Sequence, residues 1–519
     1  MAYLKVGDVQ GNPNNANLGD SDGALASYRK AVVIFESIPP HKRSDLKSQR
    51  RLGLCYTKLG DVLINTNDLA SARDNYHKSL QIRESVASIE GSAESQDNLA
   101  TGFGRLGDVL KEIGDTQGAL ENQRKALAIR ETLVGQNPSD KELRHNLTRS
   151  LESVADLLGR VNDTAAALET YRKSLALREA LATDFSTDMQ IRRSLAISYS
   201  MFGGVLADIG KQIEAIESIR KALPIFEELA ASDRKNVRAQ RDLGLTYKKL
   251  GDQLVYFGKP AEAMPYYHKA ISIREQLAAA DSKNAQFRHD VVAIYNDIAD
   301  ALGHPDFVNL GDKPGALSYY RKALVITQEL AAAAPDSMLY KTDHWLSYNK
   351  IGQLLEAVGD QIGALAHYRK ALPIAESFVA TDSVDLELQR KLSGSYELIG
   401  NLLTKMRDAS GALENHRRSL EIREKLASNN QIDSDAQSDL ALVYGSMGDV
   451  YTMVAENGRK NLNECLENWR TAETWYQRAA KTWSDLASRN AIVANYAKEP
   501  GEIAKKISRC RVEAAKFSK

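Results

Sequence analysis

Apolar positions along this chain recur three and four residues apart, the spacing that lines one face of an α-helix. Around residue 250 the pattern runs Tyr247, Leu250, Gly251, Leu254, breaks at "FGKP", and resumes at Ala263, Tyr267 and Ala270. Apolar or small residues at helical spacing on both sides of a Gly-Pro break predict a helical hairpin. The same pattern returns at Tyr56, Leu59, Gly60, Leu63, Ala72 and Tyr76, and again at Tyr199, Phe202, Gly203, Leu206, Ala215 and Ala222. It returns once more at Tyr348, Ile351, Gly352, Leu355, Ala364, Tyr368 and Ala371.

A register follows from the segments that resemble "SYRKA". Their second basic residue falls at Lys30, Lys78, Lys125, Lys173, Lys221, Lys269, Lys322, Lys370, Arg418 and Arg478, with most gaps equal to 48 residues. A fixed period with occasional insertions marks stacked supersecondary units rather than separate domains. Ten units are expected over residues 1–485, spanning about 1–38, 46–88, 95–137, 141–184, 189–232, 237–280, 285–334, 339–381, 386–428 and 435–488, with a basic closing helix in 489–519. The first helix starts so near Met1 that it looks cut short, as in a fragment of a longer parent. "GNPNNANLGD" at 11–20 and "GHPDFVNLGD" at 303–312 are matching insertions at the turn inside a hairpin, a sign that a block of units was once duplicated. Each is either a plain surface turn or a functional loop. Unit ten carries a further insertion and Trp469, Trp475 and Trp483, which suits a terminal cap or a docking or dimer surface.

The combination of an aromatic, Leu-Gly and a second large residue in helix A with Ala, an aromatic and Ala in helix B resembles the tetratricopeptide family. The resemblance implies an all-α fold, an α-α superhelix or solenoid of about ten hairpins. Units in that family have about 34 residues, so the surplus here predicts long helices, similar to kinesin-light-chain units. The resemblance also implies a scaffold, not an enzyme, that binds a protein or peptide partner on the concave face. There it places the residue after the helix A glycine: Asp8, Asp61, Asp108, Asp156, Asp252, Asp300 and Asp449, with Gln353 and Asn401 in two further units. Lys248 and Tyr256 complete the candidate contact set. Such a ladder would attract a basic or extended segment. The alternative is that each aspartate pairs with a cation of a neighbouring helix, such as Lys58, Arg105, Lys248, Lys249 or Lys350. The lysine and asparagine set that clamps a C-terminal carboxylate in relatives is not reproduced, since Asp252 stands where asparagine is expected. The wording "YLKVGDVQGNP" onward also resembles repeat regions that follow the catalytic domain of some bacterial serine/threonine protein kinases. That implies a regulatory or substrate-recruiting region whose catalytic domain is outside this chain.

Composition narrows the chemistry. Lys plus Arg and Asp plus Glu are 68 each, so no net field favours nucleic acid or an anionic membrane. Cys55, Cys465 and Cys510 are too scattered for a disulfide framework, which fits a reducing, cytoplasmic compartment. No apolar run reaches the roughly eighteen residues of a membrane span. "GFGRLGDV" at 102–109 matches a phosphate-covering glycine loop, yet it sits in the repeat register where a helix is expected. The nine histidines make no metal-ligand spacing. No catalytic residue, metal or cofactor is therefore expected, and a homo-oligomer would form through the Trp-rich end. Two structural expectations remain. Pro224 and Pro373 fall inside B helices and should kink or end them, and the "RKAL.IRE" runs read as solvated convex faces.

Overall fold

The computed structural model describes residues 2–12, 18–38, 45–429, 433–457 and 461–517. Residues 13–17 of the first insertion and 458–460 of the insertion in unit ten lie outside them. The described residues form twenty-one α-helices and no strand, in consecutive packed pairs. In chain order they are α1 (Ala2–Gly11), α2 (Ser21–Glu36), α3 (Leu46–Asn65), α4 (Leu69–Glu90), α5 (Ala93–Ile113), α6 (Thr116–Gln136) and α7 (Lys141–Arg160). Then come α8 (Thr164–Asp184), α9 (Met189–Asp208), α10 (Gln212–Ser232), α11 (Val237–Tyr256), α12 (Pro260–Ala280), α13 (Ala285–Gly303) and α14 (Lys313–Ala333). The last seven are α15 (Met338–Ala357), α16 (Gln361–Thr381), α17 (Leu386–Lys405), α18 (Ala409–Asn429), α19 (Ser434–Asn457), α20 (Leu462–Ser488) and α21 (Glu499–Ala515). Odd-numbered helices up to α19 are the A helices and even-numbered ones the B helices. Two compact units divide the chain, Met1–Ala239 and Gln240–Lys519.

The hairpin turns are written in the sequence. An A helix ends in a left-handed residue, such as Asn67 (φ 60°) or Gly114 (φ 94°), and an aspartate then caps the B helix. Asp68, Asp115, Asp163 and Asp360 each accept the N–H three residues on, satisfying a donor the helix leaves open. The α12 N-terminus lacks such a cap but begins with Pro260, which has no N–H to satisfy.

The helix A glycines show why the register tolerates a residue that costs about 1 kcal/mol relative to Ala in a helix. A Cβ on Gly7, Gly60, Gly251 or Gly448 would fall 2.5 to 2.6 Å from the ring of Tyr28, Tyr76, Tyr267 or Tyr476 on the partner B helix. The tyrosine ring, more than a facing alanine, sets the close approach. In most hairpins the register lysine or arginine lies above the first aromatic of helix A, as with Lys78 on Tyr56 (5.4 Å) and Lys269 on Tyr247 (5.0 Å).

Neither Pro224 nor Pro373 ends its helix, and a second expectation is corrected. Helix α10 runs through Pro224 to Ser232, and α16 through Pro373 to Thr381. Burial of Phe226 and Leu229, and of Ala375 and Phe378, beyond the prolines holds the backbone helical. The arginine of "IRE" is also not solvated. Arg178, Arg274 and Arg423 are buried at 5, 6 and 5% exposure, because each reaches an acid on an A helix: Glu152, Asp290 and Glu397 respectively.

The two inserted turns close alike. Leu18 and Asp20 donate their N–H groups to the carbonyls of Val9 and Gln10, and Leu310 and Asp312 donate to Ala301 and Leu302. Each loop starts at a buried residue, Asn12 or His304.

Candidate functional site

The residues after the helix A glycine line the A-helix row, and most of their carboxylates are engaged. The tyrosine that packs on the glycine donates its hydroxyl to the neighbouring aspartate: Tyr28 to Asp8 (2.8 Å), Tyr76 to Asp61 (2.7 Å), Tyr267 to Asp252 (3.0 Å) and Tyr476 to Asp449 (2.6 Å). Tyr320 does the same for Asp300, and the Gln123 amide serves Asp108 at 2.9 Å. The second partner is a cation. Lys58 pairs with Asp8, Arg105 approaches Asp61 at 3.8 Å, Lys350 binds Asp300 at 2.6 Å, and Lys506 of α21 binds Asp449 at 2.7 Å. One carboxylate thus ties an A helix to its own B helix and to the next A helix or the closing helix.

Electrostatics follow the packing. At Asp8, burial works to raise the carboxyl's pKa, but the bonds from Lys58, Asn12 and Tyr28 outweigh it and hold it below the usual range. At Asp108 burial wins over Arg105, Lys111 and Arg149, and the pKa rises. Lys248 sits between Asp252 (2.8 Å) and Asp297 (2.9 Å). Burial works against its charge, but the two carboxylates prevail and raise its pKa. Asp297 is pushed up, first by burial and then by Asp252, with Lys248 opposing.

The rest of the predicted set is less occupied. Asp156 keeps 43% of its side chain exposed, with Arg160 at 3.4 Å and Lys111 at 3.7 Å. Gln353 meets the His304 ring at 3.3 Å, and Tyr256 is 77% exposed. Asn401, at the ladder position of α17, borders a recess of about 390 Å³ with Lys506 and the buried Trp483. "GFGRLGDV" lies inside α5, with Leu106 and Gly107 buried, so it forms no loop. Trp469 and Trp483 belong to the core of the last hairpin, where Tyr496 packs at a tilt against Trp483.

Sequence reading missed Asn349. A recess of about 630 Å³ lies along α15, α17 and α19, bordered by Asn349, Gln353, Arg390, Lys391 and Tyr496. Asn349 is only 4% exposed, yet neither its Oδ1 nor its Nδ2 has a hydrogen-bond partner among the described residues. A buried amide left so costs about 1–3 kcal/mol. Its neighbours at the same repeat position, Thr57, Glu152 and Glu397, all have partners. Asn296 holds the same position in unit seven, and its Oδ1 also lacks a partner among the described residues, so the register shows the asparagine while the unmet bonds are visible only in three dimensions.

A tetratricopeptide-repeat family model matches residues 52–90, 93–140 and 393–433. No curated protein matches the chain. Among solved structures, the chain is similar to BtubC from P. vanneervenii, with 17% identity over 52% of this chain and 93% of that one and a TM-score of 0.38. It is similar also to the apo form of RapI (16% identity, 62% of this chain, 97% of that one, TM-score 0.37). The apo quorum sensor NprR from B. thuringiensis gives 13% identity over 68% of this chain and 82% of that one, at a TM-score of 0.41.

Proposed function

We propose, from the premise that this chain is a tetratricopeptide-repeat protein, that it is a non-enzymatic scaffold holding an extended partner segment along its A-helix row, the face that is concave in the resemblance. Asn349 carries the proposal. Its buried donor and acceptor lack partners among the described residues at the border of the larger recess, and a backbone amide of an extended peptide offers the complementary pair. Gln353 and Asn401 extend the amide-bearing contact surface along α15 and α17. Tyr256 and the half-exposed Asp156 are further contacts. The engaged members tie neighbouring helices within each compact unit and lend charge to its A helices: Asp8, Asp61 and Asp108 in one, Asp252, Asp300, Asp449 and Lys248 in the other. Arg390 and Lys391 face Glu387, Asp435 and Asp439 in the same recess, so an uncharged or mixed-charge segment fits there as well as a basic one.

The test is a selection of peptides from a random display library on the immobilised full chain, followed by photo-crosslinking of the selected peptide. Crosslinks on α15, α17 and α19 support the reading. Crosslinks confined to B helices or to the 303–312 turn refute it.

A further inference from the structure

The arginine of the "IRE" run meets three recurring positions, two on the A helix of its own hairpin and one on the next A helix. In four hairpins one of these positions holds a carboxylate. Arg130 of α6 reaches Asp97 of α5 at 2.9 Å, and Arg178 of α8 reaches Glu152 of α7 at 2.8 Å. Arg274 of α12 pairs with Asp290 of α13, and Arg423 of α18 with Glu397 of α17. Counted along the repeat, Asp97 corresponds to Arg50 in the hairpin of α3 and α4, Glu152 and Glu397 to Thr57, and Asp290 to Asn98 of α5. That hairpin keeps the arginine, Arg83, and has no acid at any of the three positions.

Arg83 bonds to neutral oxygens instead. Its Nη1 donates to the Asn98 carbonyl at 2.7 Å, its Nε to Ser79 Oγ at 3.2 Å and its Nη2 to Thr57 Oγ1 at 3.3 Å. A guanidinium carries five N–H groups, so two are left over, and among the described residues no carboxylate forms an ion pair with it. Burial works against its charge and Arg105 adds to the effect, so its pKa is lowered although Asp61 and Asp97 oppose. A charge drawn out of water is costly without a counter-charge beside it.

The same arginine borders a recess of about 170 Å³ between α3, α4 and α5, within Met1–Ala239. Leu54, Ile82 and Val86 give the recess an apolar wall, and Arg50, tied to Glu90, is its other charged member. Drug-sized ligands take about 300 Å³ or more. The space suits a carboxylate on a short aliphatic chain.

We infer that this recess is a carboxylate-binding site: a ligand's carboxylate takes on Arg83 the place that Glu152 holds on Arg178, and its short aliphatic chain lies over Leu54, Ile82 and Val86. A free short-chain acid and the glutamate side chain of a bound segment share that chemistry. The site does not rest on the Asn349 reading, which concerns Gln240–Lys519.

Saturation-transfer difference NMR on the full chain tests this with three probes: butyrate, its neutral amide butyramide, and N-acetylglutamate α-amide as the side-chain source. Two variants accompany the wild type. Arg83→Met removes the guanidinium, and Thr57→Glu supplies the carboxylate from within. The second repeats, with Ser79 and Arg83, the trio that Glu152, Ser174 and Arg178 form in α7 and α8, so it keeps the fold. A saturable signal from a carboxylate probe is expected, at least tenfold weaker in both variants and absent for butyramide, with a raised melting temperature in Thr57→Glu. Tighter binding of butyrate assigns the site to a free acid, and tighter binding of the glutamate derivative assigns it to a partner's side chain. No saturable signal from either carboxylate, an equal signal from butyramide, or equal binding to the wild type and Thr57→Glu overturns the inference.

Discussion

At the scale of single residues, the array is a set of variations on one glycine, one aromatic ring and one carboxylate, and each variation has a measurable consequence. In unit nine the ring is His416, fully buried against Gly400 where most other units place tyrosine. Burial, with Arg423 adding to it and Asp449 opposing, lowers its pKa from 6.5 to about 4. In the unfolded chain the imidazole protonates near pH 6.5, in the folded chain only near pH 4. The unfolded state therefore binds the extra proton within that window, and stability falls as pH drops through it, by on the order of 3 kcal/mol when complete. Urea midpoints at pH 7 and pH 5 should separate in the wild type and draw together in His416→Tyr. Glycine gives a paired prediction. Gly60→Ala drives a methyl into the Tyr76 ring and should cost about 1–3 kcal/mol despite Ala's better helix propensity. Gly204→Ala, where nothing lies within 4 Å, should stabilise by up to about 1 kcal/mol. Equal thermal shifts for the two would refute the ring-contact account.

Between elements, the cement is polar more than the hydrophobic pattern suggests. Arg178 of α8 binds both oxygens of Glu152 on α7 at 2.8 Å, with Ser174 and Ser198 completing the carboxylate's bonds. Arg178→Met should destabilise by about 3–5 kcal/mol, since it strands a buried carboxylate, while the double variant with Glu152→Leu should recover most of the loss. Thermal melts of the two variants check this. The helices themselves were legible, because their 3.6-residue spacing, Asp caps and Gly or Asn turns are local signals. The register lysine was legible as a repeat marker, though its place over a tyrosine ring was not. The "IRE" arginines read as surface because charge predicts exposure unless a buried partner is known, and that partner lies in another helix. Pro224 and Pro373 read as breaks for a similar reason: tertiary burial on both sides of the ring outweighs a local preference. Of the site, the aspartate ladder was visible as spacing, and so were the candidate ion pairs of Lys58, Arg105, Lys248 and Lys350. Which groups stay unmet was not visible, because whether Asn349 finds partners depends on what surrounds it in three dimensions.

For the molecule as a whole, balance of charge limits the partners it can hold. With 68 basic and 68 acidic residues, many of them paired between helices, no phosphate backbone gains from a general field. A mobility-shift titration with single-stranded RNA at about 150 mM salt should show no complex at micromolar chain; a shift that fades as salt rises would reveal a basic stripe instead. No helix is long and apolar enough to cross a membrane among the described residues. Among the described residues most polar groups of the A helices are tied internally and a few lack partners, and the central claim is that Asn349 on α15 holds a partner's backbone. Calorimetric titration of the display-selected peptide into the wild type and into Asn349→Leu tests it most directly. A residue kept for binding at the expense of stability should give two opposite changes: affinity at least tenfold weaker, and a melting temperature raised because the unmet amide is gone. Unchanged affinity in Asn349→Leu would contradict the account and move the binding surface off the α15–α19 wall.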